Sequence, residues 1–277
     1  MATSAVNPLY KHFRQPSVYV RLPSKGTFWP EHALDMPANE ELPVYPMTIK
    51  DEVMIKTPDA LMNGSGVAEV IHSCCPSIKD AWSLPAVDLD TILIAIRIAS
   101  YGAIMDVDTN CPHCQGNNTH PVDLRVLMDE IKIPDFLPVD IQDLVFHFKP
   151  QTFKSLNANN VIAYEQEKLI SAITNSELTE EEKTAQFNLI FPKLTDMNIM
   201  SVVNCIDGIQ VGTDYVTDVN HIKEFVSNCD STVYKAIKEQ VDKIINTSKI
   251  PPVNMQCQEC AEKYNSEILF EQSNFFA

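Results

Sequence analysis

Glycine is scarce in this chain. Only seven of 277 residues are glycine, and none are spaced as the phosphate-cradling loops of nucleotide-binding proteins, which need glycine where backbone approaches ligand. A His-Glu-x-x-His helix is missing, and so is a Gly-x-Ser-x-Gly elbow, which removes the metalloprotease and hydrolase signatures. Two carboxylate pairs are present, Asp106 with Asp108 and Asp88 with Asp90. Alternation along a strand accounts for the first and helix capping for the second, without chemistry. His147, between Phe146 and Phe148, reads as a surface or interface residue rather than a base. The expectation is a protein that is not an enzyme.

Long apolar runs are lacking as well. The longest, Ile92 to Ala99, is interrupted by Arg97 and falls far short of the roughly 20 residues that cross a bilayer. Met1 to Tyr10 shows none of the charged, apolar and cleavage regions of a secretory signal. The expected compartment is the cytoplasm, at least while the chain folds, with no membrane insertion. Basic residues are outnumbered: 21 lysines and arginines face 37 acids, for a formal net charge of −16. That balance disfavours a surface that neutralises phosphates, so no nucleic-acid partner is expected. The charge is uneven, because the first thirty residues hold Lys11, Arg14, Arg21 and Lys25 and no acid. This is either chance clustering in an exposed tail or an arm that docks on an acidic neighbour.

What is present is apolar content of 45%, 18 prolines and eight cysteines. A chain of this length and composition buries a full-sized core. Residues 1–46 are rich in proline, which argues for an extended arm rather than helix. Within it Ser17-Val-Tyr-Val-Arg-Leu22 has strand character, and Pro23-Ser-Lys-Gly26 reads as a turn with Gly26 at positive φ. Residues 47–102 read as a helical block. Thr48 with Asp51 opens a short helix, Thr57-Pro58-Asp59 a second that Asn63-Gly64 breaks, and Val67, Val70 and Ile71 give the next an apolar face. Asp88 or Asp90 should cap a central helix that Gly102 ends. Met105 to Thr109 and Thr119 to Asp123 read as a hairpin, and Leu144 to Phe148 as another strand. Residues 125–250 otherwise look helical: Phe153 to Ile173, a helix capped by Thr179 that Pro192 should end or kink, Asp196 to Val203, Asp218 to Val226, and Ser231 to Ile245. The expected fold class is α+β: a mainly helical body, a zinc-ribbon-like β element from residues 103–124 and 251–277, and the extended arm.

Four cysteines form two knuckles, Cys111-Pro-His-Cys114 and Cys257-Gln-Glu-Cys260. A two-residue gap lets both thiolates of a knuckle face one ion, and two such knuckles complete a closed tetrahedral shell. The expected cofactor is one structural zinc ion held by Cys111, Cys114, Cys257 and Cys260, with His113 and His120 outside the ligand set. A thioredoxin-type redox pair would need one such motif at the head of a helix, not two among strands. Cys74, Cys75, Cys205 and Cys229 read as core-filling thiols.

Several segments resemble, in the same order, the baseplate hub or hub assembly proteins of T-even-type contractile-tailed bacteriophages. They are Leu22-Pro-Ser-Lys-Gly26, Met47-Thr-Ile-Lys-Asp-Glu52, Lys56-Thr-Pro-Asp-Ala-Leu-Met-Asn-Gly64, Ile71-His-Ser-Cys-Cys-Pro76, Arg97-Ile-Ala-Ser-Tyr-Gly102 and Cys111-Pro-His-Cys114. The resemblance implies a virion protein of the tail baseplate, made in the host cytoplasm and assembled in multiple symmetric copies. Its implied partners are other hub proteins, with the tape-measure protein a further candidate. Two roles follow: a permanent hub subunit, or an assembly chaperone that leaves before maturation. In the first, Arg14, Tyr19, Arg21, Leu22, Phe28 and Trp29 of the arm bind the partner, the four apolar ones as anchors. Removing residues 1–30 is then expected to leave a folded, zinc-loaded chain that fails to assemble.

Overall fold

A computed structural model describes residues 7, 9, 12–57 and 64–268. Among them are eight helices and ten strands, the strands forming four antiparallel sheets. Strand β1 (Val18–Val20) pairs with β2 (Leu42–Val44). Helix α1 (Ile49–Ile55) starts at Thr48, whose side chain accepts from the Asp51 amide while the Asp51 carboxylate accepts from the Thr48 amide. That reciprocal box satisfies two amides the first turn would leave open. Helices α2 (Ser65–Cys74) and α3 (Ala86–Tyr101) follow, joined through a short 3-10 turn at Ala81–Ser83. Apolar side chains surround most of α3, and Ile92, Ile94, Ala95 and Ile96 are fully buried. A helix apolar on nearly every side is stable only as the centre of a core, and Gly102 at φ 90° ends it.

Strands β3 (Ile104–Asn110) and β4 (Asn117–Asp123) form the first hairpin, and α4 (Leu124–Glu130) continues from it. Strands β5 (Val139–Ile141) and β6 (Leu144–Phe148) begin a four-stranded sheet. Helices α5 (Phe153–Thr174) and α6 (Glu180–Val203) then run as an antiparallel pair, and β7 (Ile206–Val211) and β8 (Asp214–Val216) complete the sheet in the order β5-β6-β7-β8. Helices α7 (Val219–Asn228) and α8 (Ser231–Ser248) cover its inner face. In α8 the buried residues Val233, Ile237, Val241 and Ile244 recur at helical spacing, each burial stabilising by about 1.5–3 kcal/mol. The last hairpin is β9 (Val253–Gln256) with β10 (Lys263–Ser266).

Two apolar cores result. The first gathers β1, β2, α2, α3 and α4 with Val122, Met255 and Tyr264 of the two hairpins. The second lies between the four-stranded sheet and α7 and α8. The segment 149–153 joins them, since Gln151 Nε2 donates to Ser201 O at 2.9 Å while its own carbonyl accepts from Ala86 N at 2.7 Å.

Several expectations change. Residues 14–46 do not stand away from the body: Val20, Leu22, Leu42 and Val44 are buried in the first core, and Arg14 donates to Pro46 O at 2.6 Å and Ser73 O at 2.7 Å. Prolines kept this segment from forming helix, yet its alternating apolar residues still pack. Neither Asp88 nor Asp90 caps α3, because the helix begins at Ala86 with Pro85 in the capping position, where a missing N–H costs nothing. Pro192 lies inside one continuous helix, α6, on its exposed side, where water can donate to the Asn188 carbonyl in place of the N–H that proline lacks. Strands β7 and β8 and helix α4 were not expected. The segment Thr57-Pro58-Asp59 to Asn63 falls largely outside the described residues, as do Lys11 and the end of the 251–277 segment. No helix among the described residues is long and apolar enough to cross a membrane.

Candidate metal centre

Each knuckle sits at the tip of a hairpin. The β3–β4 turn carries Cys111 and Cys114, and the β9–β10 turn carries Cys257 and Cys260. The two turns share one backbone plan. Gln115 N donates to Cys111 O and Ala261 N to Cys257 O, and Cys111 N and Cys257 N donate to Gly116 O and Glu262 O. The residue after each knuckle, Gln115 at φ 60° and Ala261 at φ 61°, takes the left-handed conformation that folds the chain back. The four ligand atoms lie within 4.8 Å of one another. Cys111 Sγ is 3.7 Å from Cys260 Sγ, and Cys114 Sγ is 3.6 Å from Cys257 Sγ. A zinc–thiolate bond of about 2.3 Å places tetrahedral sulfurs roughly 3.8 Å apart, and a disulfide would need about 2.05 Å. The spacing therefore fits four thiolates around one ion and excludes a disulfide.

The electrostatics agree. Amides of Cys260 and Glu259, with the Asn118 side chain, hold the Cys257 thiol down at about 6. The Gly116 amide pulls the Cys114 thiol down too, but the neighbouring thiols outweigh it and push it up to about 12. Four sulfurs this close cannot all ionise unless a cation sits between them. These four cysteines can hold a metal ion, and closed coordination by four thiolates leaves no open position for a reacting water.

Contacts around the sulfurs bind one hairpin to the other. Asn118, 2% exposed, donates through Nδ2 to Gly116 O at 2.9 Å and to Cys257 Sγ at 3.5 Å, and accepts from Gln258 N at 2.7 Å. Thr109 Oγ1 and Tyr264 OH lie 2.6 Å apart, and His120 Nε2 is 3.3 Å from the same hydroxyl. His113 is exposed, and neither histidine joins the sulfur cluster among the described residues. Asn118 and Tyr264 carried no sequence signal, because an asparagine or tyrosine in a strand has no spacing that marks it.

The six arm residues are not brought together. Leu22 is in the core, Arg14 turns inward, and Trp29 Nε1 donates to Asp88 at 2.8 Å. Phe28 packs on Phe136 with centroids 4.6 Å apart. Tyr19 stays 58% exposed, and Arg21, paired with Glu41 at 3.0 Å, is also exposed. Of the other cysteines, Cys74, Cys75 and Cys205 are buried and Cys229 half-buried. Burial is the main force raising the thiols of Cys74 to about 12 and Cys205 to about 11, which leaves them unreactive.

Fold and site together define a class: an α+β protein whose two hairpins are drawn together by a four-thiol cluster able to hold a metal ion. Within that class the chain belongs to the family of the T4 bacteriophage base plate protein, whose family model matches residues 29–277. The match begins after Leu22-Pro-Ser-Lys-Gly26 and takes in the other five segments, the second core, the first core apart from Val20 and Leu22 among its buried residues, and both knuckles. Comparison with curated proteins gave no match, and neither did comparison with solved structures.

Proposed function

We propose that this chain is a permanent structural subunit of the baseplate hub, with one zinc ion at Cys111, Cys114, Cys257 and Cys260. Membership of the baseplate family carries the reading, and the ordered segments from Leu22 to Cys114 support the hub within it. An all-sulfur donor set at tetrahedral spacing supports zinc, the usual choice for closed thiolate sites. The ion's task is mechanical. Bound at both hairpins, it closes a loop running from Cys114 to Cys257 and holds the second core against the first.

A structural subunit joins neighbours through its surface, and Tyr19 and Arg21 are the arm residues left available for that. Purified mature tails, analysed by quantitative mass spectrometry with metal determination, should contain the chain in fixed stoichiometry with one zinc per copy. Its absence from mature tails, with presence in assembly intermediates, would overturn the permanent role in favour of a hub assembly chaperone.

A further inference from the structure

Phe28 and Trp29 are neighbours in the chain, yet they pack toward different cores. Trp29 lies against the first core, while the Phe28 ring sits on Phe136, which packs on the second, with ring centroids 4.6 Å apart. The turn that carries them, residues 22–29, is held by its own bonding. Lys25 N donates to Leu22 O at 3.0 Å, Thr27 N and Thr27 Oγ1 donate to Ser24 O at 3.0 and 2.7 Å, and Gly26 N donates to Ser24 Oγ at 3.1 Å. Lys25 at φ 51° and Gly26 at φ 81° make the reversal. The direction of Phe28 is therefore set by the turn.

One buried group fixes this turn to the first core. Asp88, in the first turn of α3, is fully buried, and its carboxylate accepts from Ser24 N at 2.8 Å, Ser24 Oγ at 2.5 Å and Trp29 Nε1 at 2.8 Å. All three donors belong to the turn. Hydrogen bonds to an ionised acceptor are about twice as strong as neutral ones, and pulling the turn away would leave a desolvated charge without donors. Toward the second core the grip is one aromatic pair. Both rings are only half-buried, and such a pair parts without stranding a polar group. The turn is thus anchored firmly on one side and lightly on the other.

The second core has a place about which to move. Segment 149–153 is bonded to both sides, through Gln151 Nε2 to Ser201 O and through Ala86 N to Gln151 O. Both metal hairpins contribute to the first core, through Val122, Met255 and Tyr264, so parting Phe28 from Phe136 does not touch the four-thiol cluster.

We propose that residues 22–29 form a strap that locks the second core onto the first, anchored at Asp88 and released at the Phe28–Phe136 contact, after which the second core swings about 149–153 with both cores folded. The inference stands on contacts within the chain and not on the hub reading.

The test uses the zinc-loaded full chain carrying Trp82→Phe, which leaves Trp29 as the sole tryptophan and keeps an aromatic ring against Phe153. Phe28→Ala should speed amide exchange across 131–141 about tenfold or more and enlarge the radius of gyration in small-angle X-ray scattering. Trp29 emission, zinc content and exchange in α3 and α8 should not change. Phe136→Ala should act alike, and the double substitution should do no more than either one, as expected of two groups acting through each other. Asp88→Asn should give the same opening and also move Trp29 emission to longer wavelength. Phe28→Leu keeps the bulk without the ring and should give a smaller opening of the same pattern. Unchanged scattering in Phe28→Ala, additive effects of the two single substitutions, or no opening in Asp88→Asn would overturn the proposal. So would loss of protection in β1 and α3 in both the alanine and the leucine variants of Phe28, since the first core would then be melting. None of these outcomes depends on the protein's place in a tail, so the hub reading and this one fail separately.

Discussion

Single side chains decide whether the two hairpins meet correctly. Asn118 satisfies a carbonyl, an amide and a thiolate belonging to two different turns. Leucine has its shape but none of its polar atoms. Asn118→Leu should therefore lower zinc affinity about 10–100-fold, the usual cost of losing a group that orients a metal ligand, measured by competition with a chromophoric chelator. Asp90 makes a prediction of a different kind. Its folded carboxyl titrates at about 6, above the ordinary 3.8, so the fold prefers the protonated form. That preference is fully present below about pH 4 and disappears as pH rises through 6. Asp90→Asn, which cannot ionise, should gain roughly 1–3 kcal/mol over the native chain at pH 7.5 and almost nothing at pH 4. Urea titrations at both pH values read this directly, and equal changes at both would refute it.

At the scale of elements, the helices follow local rules well. Thr48, Thr152 and Thr179 each close a reciprocal box at a helix start, and Asp218 and Asp230 cap the last two helices. Those boundaries were legible because a cap is chemistry between neighbours three residues apart. Pro192 shows where such reading stops. Proline weakens a helix but does not forbid it when packing of Ile190, Val202 and Val203 holds the same helix on either side. Pro192→Ala should stabilise α6 locally by about 1–3 kcal/mol, seen as slower amide exchange from residue 188 to 196. Strands β7 and β8 were missed although Gly212, at φ 59°, marks their turn. Their alternation is short, and only pairing with β6 turns it into a sheet.

The whole molecule is held by closure. A metal ion held at the two knuckles would join residues separated by more than half the chain and so couple its binding to folding of everything between them. Chelation, or Cys257→Ser, should loosen β9 and β10 first and lower the melting temperature of the entire chain. Unchanged melting and zinc content would contradict this. The N-terminal segment adds a second constraint. Val20 and Leu22 belong to the first core and Ser24 to the Asp88 network, so removing residues 1–30 should unfold the first core instead of merely abolishing assembly. A soluble truncation with native near-ultraviolet circular dichroism would show that the segment is dispensable after all.

The sequence by itself determined what depends on close neighbours or on chemical identity: the starts of most helices, though not of α3 and α4, the hairpin around the first knuckle, and four thiols in metal-ligand pairs. It also held the baseplate resemblance, in short motifs whose order survives without any knowledge of shape. Tertiary structure alone decided that the proline-rich segment lies in the core and that the buried Asp88 carboxylate is met by Ser24 and Trp29. These are matters of which distant surfaces meet, and burial energy is gained only after the chain has brought them together.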